Sequence, residues 1–127
     1  MMDINLPITL QEVEQAFDAY EKALVGNDVS RLDQLFWNDA NTLRYGATEN
    51  LVGYDEIRAF RLQRPAANLV RTVTSRHVTT FGTDFAVANI TFTKAGETRV
   101  GRQTQTWVKF ADGWHVVAAH VSWMDGK

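Results

Sequence analysis

Tyr20 and Arg44 are the two side chains whose type and position suit chemistry on a small molecule. Arg44 interrupts a short predicted strand, residues 42–45, in a stretch whose adjacent residues are otherwise apolar or small. A guanidinium can hold a carboxylate by two parallel hydrogen bonds. Tyr20 lies on the apolar stripe of the first predicted helix, and a phenol that projects into a pocket can donate or accept a proton. The pair therefore predicts a site that binds an anion and moves a proton.

Each of these residues also has a purely structural interpretation. Arg44 could form an ion pair with Glu49 or face solvent. Tyr20 could be a core aromatic residue whose hydroxyl bonds to the backbone. Residue type alone does not decide between these alternatives.

Polar amides beside a tryptophan suggest further site residues on the third long strand. Gln103, Gln105 and Trp107 share one face of that strand, a pattern that suits either a ligand pocket or a wet subunit interface. We take Gln105 as a substrate-binding candidate. Trp37 and Tyr45 are candidates for the pocket wall, although each is also consistent with an ordinary core position.

The histidines show no recognised metal-ligand spacing, so no metal site is expected. His115 and His120 are an odd number of residues apart and would point to opposite faces of a regular strand. His120 would share a face with Trp114 and Ser122, and we prefer it as the pocket residue. A β-bulge would undo this assignment, and a hydrogen-bonded histidine at a dimer interface is an equal alternative.

Three arginines recur every third residue at the end of the third predicted helix, at Arg58, Arg61 and Arg64. We expect a solvated face whose positive charges suit the negative end of the helix dipole. The alternative is an anion gate at the mouth of the pocket.

Composition excludes several classes of chemistry. The 127 residues contain no cysteine, which excludes disulfides, thiolate metal sites and a cysteine nucleophile. A net charge of −2 disfavours non-specific nucleic-acid binding, and no apolar run is long enough for a membrane helix. The first five residues lack the basic and apolar regions of a secretion signal, so a cytoplasmic location is expected. No Gly-x-Ser-x-Gly elbow or phosphate-binding glycine loop is present, and no cofactor is expected.

Apolar spacing predicts helices before about residue 68 and strands after it. The first helix is predicted to begin with a Thr9–Glu12 capping box and to end at Gly26. A second helix would start with Asn27 or Asp28 as its cap. The remaining elements are a short strand over residues 42–45, a helix over 54–63, and strands over 70–81, 84–94, 99–110 and 114–123.

This order of elements predicts an α+β fold, with residues 1–127 as one domain. Short turns between the long strands predict an antiparallel meander, and three N-terminal helices would pack in a strongly curved sheet with a pocket between them. We expect a homodimer through an apolar outer sheet face. The last strand would contribute Val117, Ala119, Val121 and Trp123 to that face.

Four strings and the C-terminal strand resemble those of a known family. The strings are YEKAL at 20–24, RYGATEN at 44–50, GYDEIRAFR at 53–61 and GRQTQTWV at 101–108, and the strand is GWHVVAAHVS at 113–122. They resemble the AtzH-like family (DUF3225), which includes the oxalurate-catabolism accessory protein and the decarboxylating amidohydrolase of cyanuric acid breakdown. The wider resemblance is to the NTF2-like (SnoaL-like, cystatin-like) superfamily, which implies a cone of three helices and a curved sheet.

The resemblance implies a role in nitrogen salvage from purine-derived or triazine-derived ureides. In the family's amidohydrolase, a tyrosine on the first helix acts with an arginine on the first short strand, and Tyr20 and Arg44 occupy those positions here. It implies a cofactor-free hydrolase or lyase for a small anionic ureide, such as a carboxylated urea or an oxalurate-like compound. The alternative is a non-catalytic binding or accessory protein that supports an amidase of the same pathway.

Overall fold

Helices occupy the first half of the chain, and long strands occupy the second. The computed structural model describes residues 2–66 and 69–125. Its helices are α1 (Pro7–Val25), α2 (Val29–Leu35) and α3 (Tyr54–Gln63). Its strands are β1 (Leu43–Tyr45), β2 (Asn50–Val52), β3 (Thr72–Phe81), β4 (Phe85–Thr93), β5 (Val100–Phe110) and β6 (Gly113–Met124). The α+β class is confirmed, and α3 spans the range predicted from the sequence.

The strands form one mixed sheet in the order β2-β1-β6-β5-β4-β3. β3 to β6 form the predicted antiparallel meander, but β1 lies parallel to β6 and β2 was not predicted. The parallel pairing arises because the chain returns from α2 to the free edge of β6. The sheet is open and not strongly curled, so the expected strong curvature is wrong. The two edge strands, β2 and β3, do not pair with each other, so the sheet does not close on itself.

α1 packs on the sheet through its predicted apolar stripe. Val13, Phe17, Tyr20 and Leu24 are buried against inward-facing residues of β4 and β5. The predicted capping box is wrong, because α1 begins at Pro7 and the buried Thr9 lies within its first turn. Proline suits this position because the first helical N–H groups have no partner within the helix. The prediction for α2 is confirmed: the Asp28 side chain accepts a hydrogen bond from the Arg31 N–H at 3.1 Å.

A β-bulge divides β6 and decides which of its side chains face the helices. Thr106 pairs with Ala118 but Trp107 pairs with Val116, so Val117 is an extra residue. The extra residue reverses the alternation of every side chain that follows it. Ala119 is only 7% exposed in the core, and later alternate positions pack against it. His120 is exposed on the opposite face.

Two predictions about β6 are therefore wrong. Ala119, Val121 and Trp123 do not form an outer apolar face, since they lie on the helix side of the sheet. His120 does not share a face with Trp114, whose indole Nε1 donates to Glu12 of α1 at 2.9 Å.

Candidate functional site

Tyr20 and Arg44 line the same cavity, which has a volume of about 170 Å³. It lies between α1, the β1–β2 turn, the residue after α3, and the helix-facing side of the sheet. Four positively charged side chains contribute to its wall: Arg44, Arg64, Arg71 and Lys94. A concentration of charge in so small and sheltered a space distinguishes this cavity from the larger surface grooves of the molecule.

α1 places Tyr20 on the cavity wall between two aromatic rings. The Phe17 and Phe36 ring centroids lie 6.0 and 6.3 Å from that of Tyr20, and Tyr20 is buried. Tyr20 also lies within electrostatic range of Arg61, in the last turn of α3, and of Arg64, the residue after that helix. Packing on both sides holds the phenol in one orientation beside the cationic wall.

Arg44 reaches the cavity from β1 and forms an ion pair with Glu49 of the following turn. The Arg44 Nη1 atom lies 2.7 Å from Glu49 Oε2, and the Thr48 hydroxyl donates to Glu49 Oε1 at 2.8 Å. Burial acts to raise the pKa of Glu49, but the hydrogen bonds from Arg44 and Thr48 outweigh it and lower the pKa. Gly46 completes the arrangement, because a Cβ there would overlap the Glu49 carboxylate. The ion pair with Glu49 that the sequence offered as a structural role for Arg44 is thus formed, and the same side chain also lines the cavity.

A second ion pair at the cavity joins Arg71 to Glu21 of α1. Its Nε and Nη2 atoms donate to the two Glu21 oxygens at 2.9 and 2.8 Å, and its guanidinium lies 4.4 Å from the Phe92 ring centroid. Arg71 Nη1 donates to Gln103 Oε1 at 3.2 Å. That bond fixes the orientation of the Gln103 amide, because only its oxygen can accept. The Gln103 Nε2 donor is buried without a hydrogen-bond partner in the described part of the chain.

Arg64 follows α3, and its backbone N–H bonds to the Phe60 carbonyl of the last helical turn at 3.0 Å. Its Nε and Nη2 atoms are buried and have no hydrogen-bond partner among residues 2–66 and 69–125. Burial, together with the charge of Arg44, lowers the pKa of the Arg64 guanidinium. Arginine nevertheless remains protonated in proteins, so Arg64 adds a positive charge to the cavity wall.

The solvated arginine face predicted for α3 is wrong for two of its three members. Arg61 is 3% exposed, bonds to Asp33 at 3.0 Å and lies over the Phe36 ring. Arg64 lines the cavity, and only Arg58 has a side chain that is largely exposed, at 56%. The position of α3 against α2 explains the difference, because one side of its last turn faces the protein interior.

Lys94 is the residue that follows β4, and its side chain lines the cavity. Burial lowers the pKa of its amine, and the neighbouring charges of Arg71 and Arg64 lower it further. Repulsion among neighbouring cations lowers the pKa of an amine, because it disfavours the charged form. An anion placed among them would relieve that repulsion.

The other four candidate residues from the sequence do not line this cavity. Tyr45 and His120 form an edge-to-face ring pair at 5.7 Å on the outer face, where they line a groove of about 540 Å³. Tyr45 points away because side chains alternate along β1 and Arg44 points inward. Trp37 stacks on Phe110 at 5.3 Å beside a groove of about 1010 Å³.

Gln105 belongs to the core of the fold. It is fully buried, and its Oε1 accepts a hydrogen bond from Trp107 Nε1 at 3.1 Å. Its neighbour on the same face, Gln103, is the amide that reaches the cavity. Sequence reasoning placed both amides on one face correctly but did not select Gln103.

Sequence reasoning missed Arg71 and Lys94 as members of the site, and it offered Arg64 only within the alternative of an anion gate. The local sequence around Arg71 and Lys94 contains no signal for a site, because their position at the cavity results from the way β3 and β4 approach α1. The recurring arginines of α3 were a usable signal for Arg64. Within the described ranges, no three acidic or histidine side chains are grouped closely enough to hold a metal ion. Of the helices that the structure describes, none combines the length and the apolar character needed to span a bilayer.

Comparison with known proteins places the chain in a family. The sequence profile described as AtzH-like matches residues 2–127. A crystal structure of a protein of unknown function from the DUF3225 family of Pectobacterium atrosepticum is 57% identical, with a TM-score of 0.95, and the match covers 97% of this chain and 96% of that one. A cystatin-like fold protein from Burkholderia xenovorans is 42% identical over 100% of both chains, with a TM-score of 0.96.

More distant similarity shows the fold alone. An NTF2-like superfamily protein from Salmonella enterica is 22% identical, with a TM-score of 0.72 and 92% of each chain covered. No curated protein matches the chain significantly. The resemblance inferred from the sequence strings is confirmed: the fold is the cystatin-like, NTF2-like one, and the chain belongs to the AtzH-like family.

Proposed function

We propose that this protein is a cofactor-free hydrolase or lyase that acts on a small anionic ureide, a carboxylated urea or an oxalurate-like compound, in purine or triazine nitrogen catabolism. The observation that supports it is the sheltered cavity in which Tyr20 lies beside an excess of positive charge. Arg44 would bind the substrate carboxylate, and Tyr20 would orient the leaving nitrogen and transfer a proton. A cavity of about 170 Å³ suits such a compound, since one of about 150 Å³ accepts benzene.

Loss of carbon dioxide from an N-carboxylated urea needs only the groups that line this cavity. The bond between nitrogen and the carboxylate carbon breaks, and its electron pair stays on nitrogen. The nitrogen takes the proton of the Tyr20 hydroxyl, carbon dioxide leaves, and water returns a proton to the phenolate. Fixed cations in a sheltered site stabilise the charge on the substrate and on Tyr20 during this transfer.

Turnover of a defined panel tests the proposal. Purified protein is given 1,3-dicarboxyurea, carboxybiuret, oxalurate and allophanate, and release of carbon dioxide and ammonia is followed. We expect Tyr20→Phe to lower kcat by about 10²- to 10⁴-fold, the range for loss of a general acid. Tyr45→Phe is the matched control, because that ring lies on the opposite face of the sheet and should leave kcat unchanged.

Arg44→Ala tests the predicted carboxylate contact and should raise KM. If wild-type protein turns over none of the panel, the enzymatic proposal is wrong. Binding without turnover, unaffected by Tyr20→Phe, would instead favour the non-catalytic accessory role.

A further inference from the structure

Arg64 differs from the other arginines near the cavity in what its guanidinium contacts. Arg44 donates to Glu49, Arg61 donates to Asp33, and Arg71 donates to Glu21. For Arg64, both Nε and Nη2 are buried and unpartnered in the part of the chain that the structure describes. A buried charged donor that has lost water and gained no acceptor is unfavourable, so its retention points to an acceptor that comes from outside the chain.

Nε and Nη2 are the two atoms that present parallel N–H groups to a planar carboxylate. The same cavity contains an example of this geometry. Arg71 uses its Nε and Nη2 to bind both oxygens of Glu21, at 2.9 and 2.8 Å. Arg64 offers the same edge, and no carboxylate of the described residues lies on it.

A third donor lines the same cavity. Gln103 is 3% exposed, and its Nε2 has no hydrogen-bond partner among the described residues. Because Arg71 holds the Gln103 oxygen, the amide cannot rotate to present an acceptor without losing that bond. The site therefore presents donors to an oxygen-rich ligand.

We propose that Arg64 is a second carboxylate-binding residue of this cavity beside Arg44, with Nε and Nη2 each donating to one ligand oxygen and Gln103 Nε2 donating to a further oxygen of the same ligand. Arg44 shares its charge with Glu49, whereas Nε and Nη2 of Arg64 have no partner among the described residues. The identity of the natural ligand as a ureide rests on the proposed function above, but the carboxylate subsite itself does not.

Oxamate is a suitable probe, because it carries one carboxylate beside an amide and cannot undergo the proposed reaction. Its dissociation constant is measured by calorimetry for wild-type protein and for Arg64→Met, Arg64→Lys and Gln103→Met. We expect Arg64→Met to weaken binding by about 10- to 100-fold, as for loss of charge-assisted hydrogen bonds in a sheltered site. Arg64→Lys should also bind more weakly than wild type, because it keeps the charge but loses the parallel donor pair. Ethyl oxamate, the neutral ester, should bind neither the wild-type protein nor any of the three variants.

Arg58→Met is the matched control, since it removes an exposed arginine of α3, the helix that Arg64 follows, and should change the dissociation constant less than twofold. Thermal unfolding separates ligand binding from a structural role. Because Nε and Nη2 of Arg64 have no partner in the described ranges, Arg64→Met should unfold at the same or a higher temperature than wild type.

Failure of wild-type protein to bind oxamate at millimolar concentration would overturn the inference, as would equal affinity of Arg64→Met. If Arg64→Met does not fold, the Arg64→Lys comparison decides by the same criteria. Oxamate binding that depends on Arg64, without turnover of the ureide panel, would retain the subsite and reject the enzymatic function. Normal turnover by Arg64→Met would reject the subsite and retain the function.

Discussion

The ion pair between Asp33 of α2 and Arg61 of α3 should be among the largest single polar contributions to stability in this fold. Arg61 is 3% exposed, its Nη1 lies 3.0 Å from Asp33 Oδ1, and its guanidinium lies 4.2 Å from the centroid of the Phe36 ring. Arg61 lies in the last turn of α3, so the pair also fixes the position from which Arg64 reaches the cavity. Asp33→Ala would leave a buried guanidinium without its counter-charge.

Removal of one partner from a buried pair costs about 3–5 kcal/mol. We expect about 3 kcal/mol for Asp33→Ala, the lower end, because the Asp33 side chain keeps 14% exposure. Arg61→Met should cost less, about 1 kcal/mol, because it removes the buried charge and keeps apolar contact with Phe36. For a chain of this size, 3 kcal/mol corresponds to a Tm about 10 °C lower.

Urea unfolding followed by circular dichroism measures both variants, with unchanged m values as the check on two-state behaviour. Asp18→Ala is the matched control, since it makes the same substitution in a helix. Asp18 pairs with Arg76 at 2.6 Å, a shorter distance, but the Asp18 side chain is 63% exposed. It should therefore cost at most about 1 kcal/mol. A larger loss for Arg61→Met than for Asp33→Ala, or equal losses for Asp33→Ala and Asp18→Ala, would refute this reasoning about burial.

Three further predictions concern the site and the sheet. Gly46→Ala should displace the Glu49 carboxylate from Arg44. NMR titration should then find the pKa of Glu49 raised toward its ordinary value of 4.5, and an unchanged pKa would contradict the steric argument. The pKa values of Glu12 and Glu49 are both lowered in the folded protein. The two carboxylates therefore stabilise the fold above pH 4.5, and this stabilisation is lost as the pH falls through the lowered pKa values. Glu12→Gln should accordingly flatten the acid limb of a plot of Tm against pH. Deletion of Val117 removes the extra residue and lets β6 continue as a regular strand with the same partners on β5, so the protein should keep a cooperative urea-unfolding transition; loss of that transition would contradict this account of the bulge.

The elements of this fold were largely predictable from local patterns. Periodicity of 3.6 predicted α3 over residues 54–63, and turn residues at regular spacing predicted the four-strand meander. The inward stripe of α1, with Val13 and Phe17, was predictable for the same reason. Such patterns report which face of an element avoids water, and that preference acts within a few residues.

The start of α1 and the faces of β6 were not predictable in this way. Thr9 and Glu12 match a capping box, but Pro7 can occupy the first helical turn and the helix begins earlier. The bulge at Val117 leaves no mark in composition or period, yet it exchanges the faces of Ala119 and His120. One extra residue in a strand is decided by how β5 and β6 pair, which is a property of two distant segments.

The sequence by itself determined the α+β class, because that conclusion depends on residue type and short-range spacing. Its strings also resembled a family, and that resemblance placed Tyr20 and Arg44 together at one site. Only the tertiary structure decided the charge of that cavity. Arg71 and Lys94 arrive there from the ends of two long strands, and Arg64 is buried because α3 packs against α2. Burial and pairing of a charge depend on what lies across space from it, and that relation between segments far apart in the chain is absent from any local pattern.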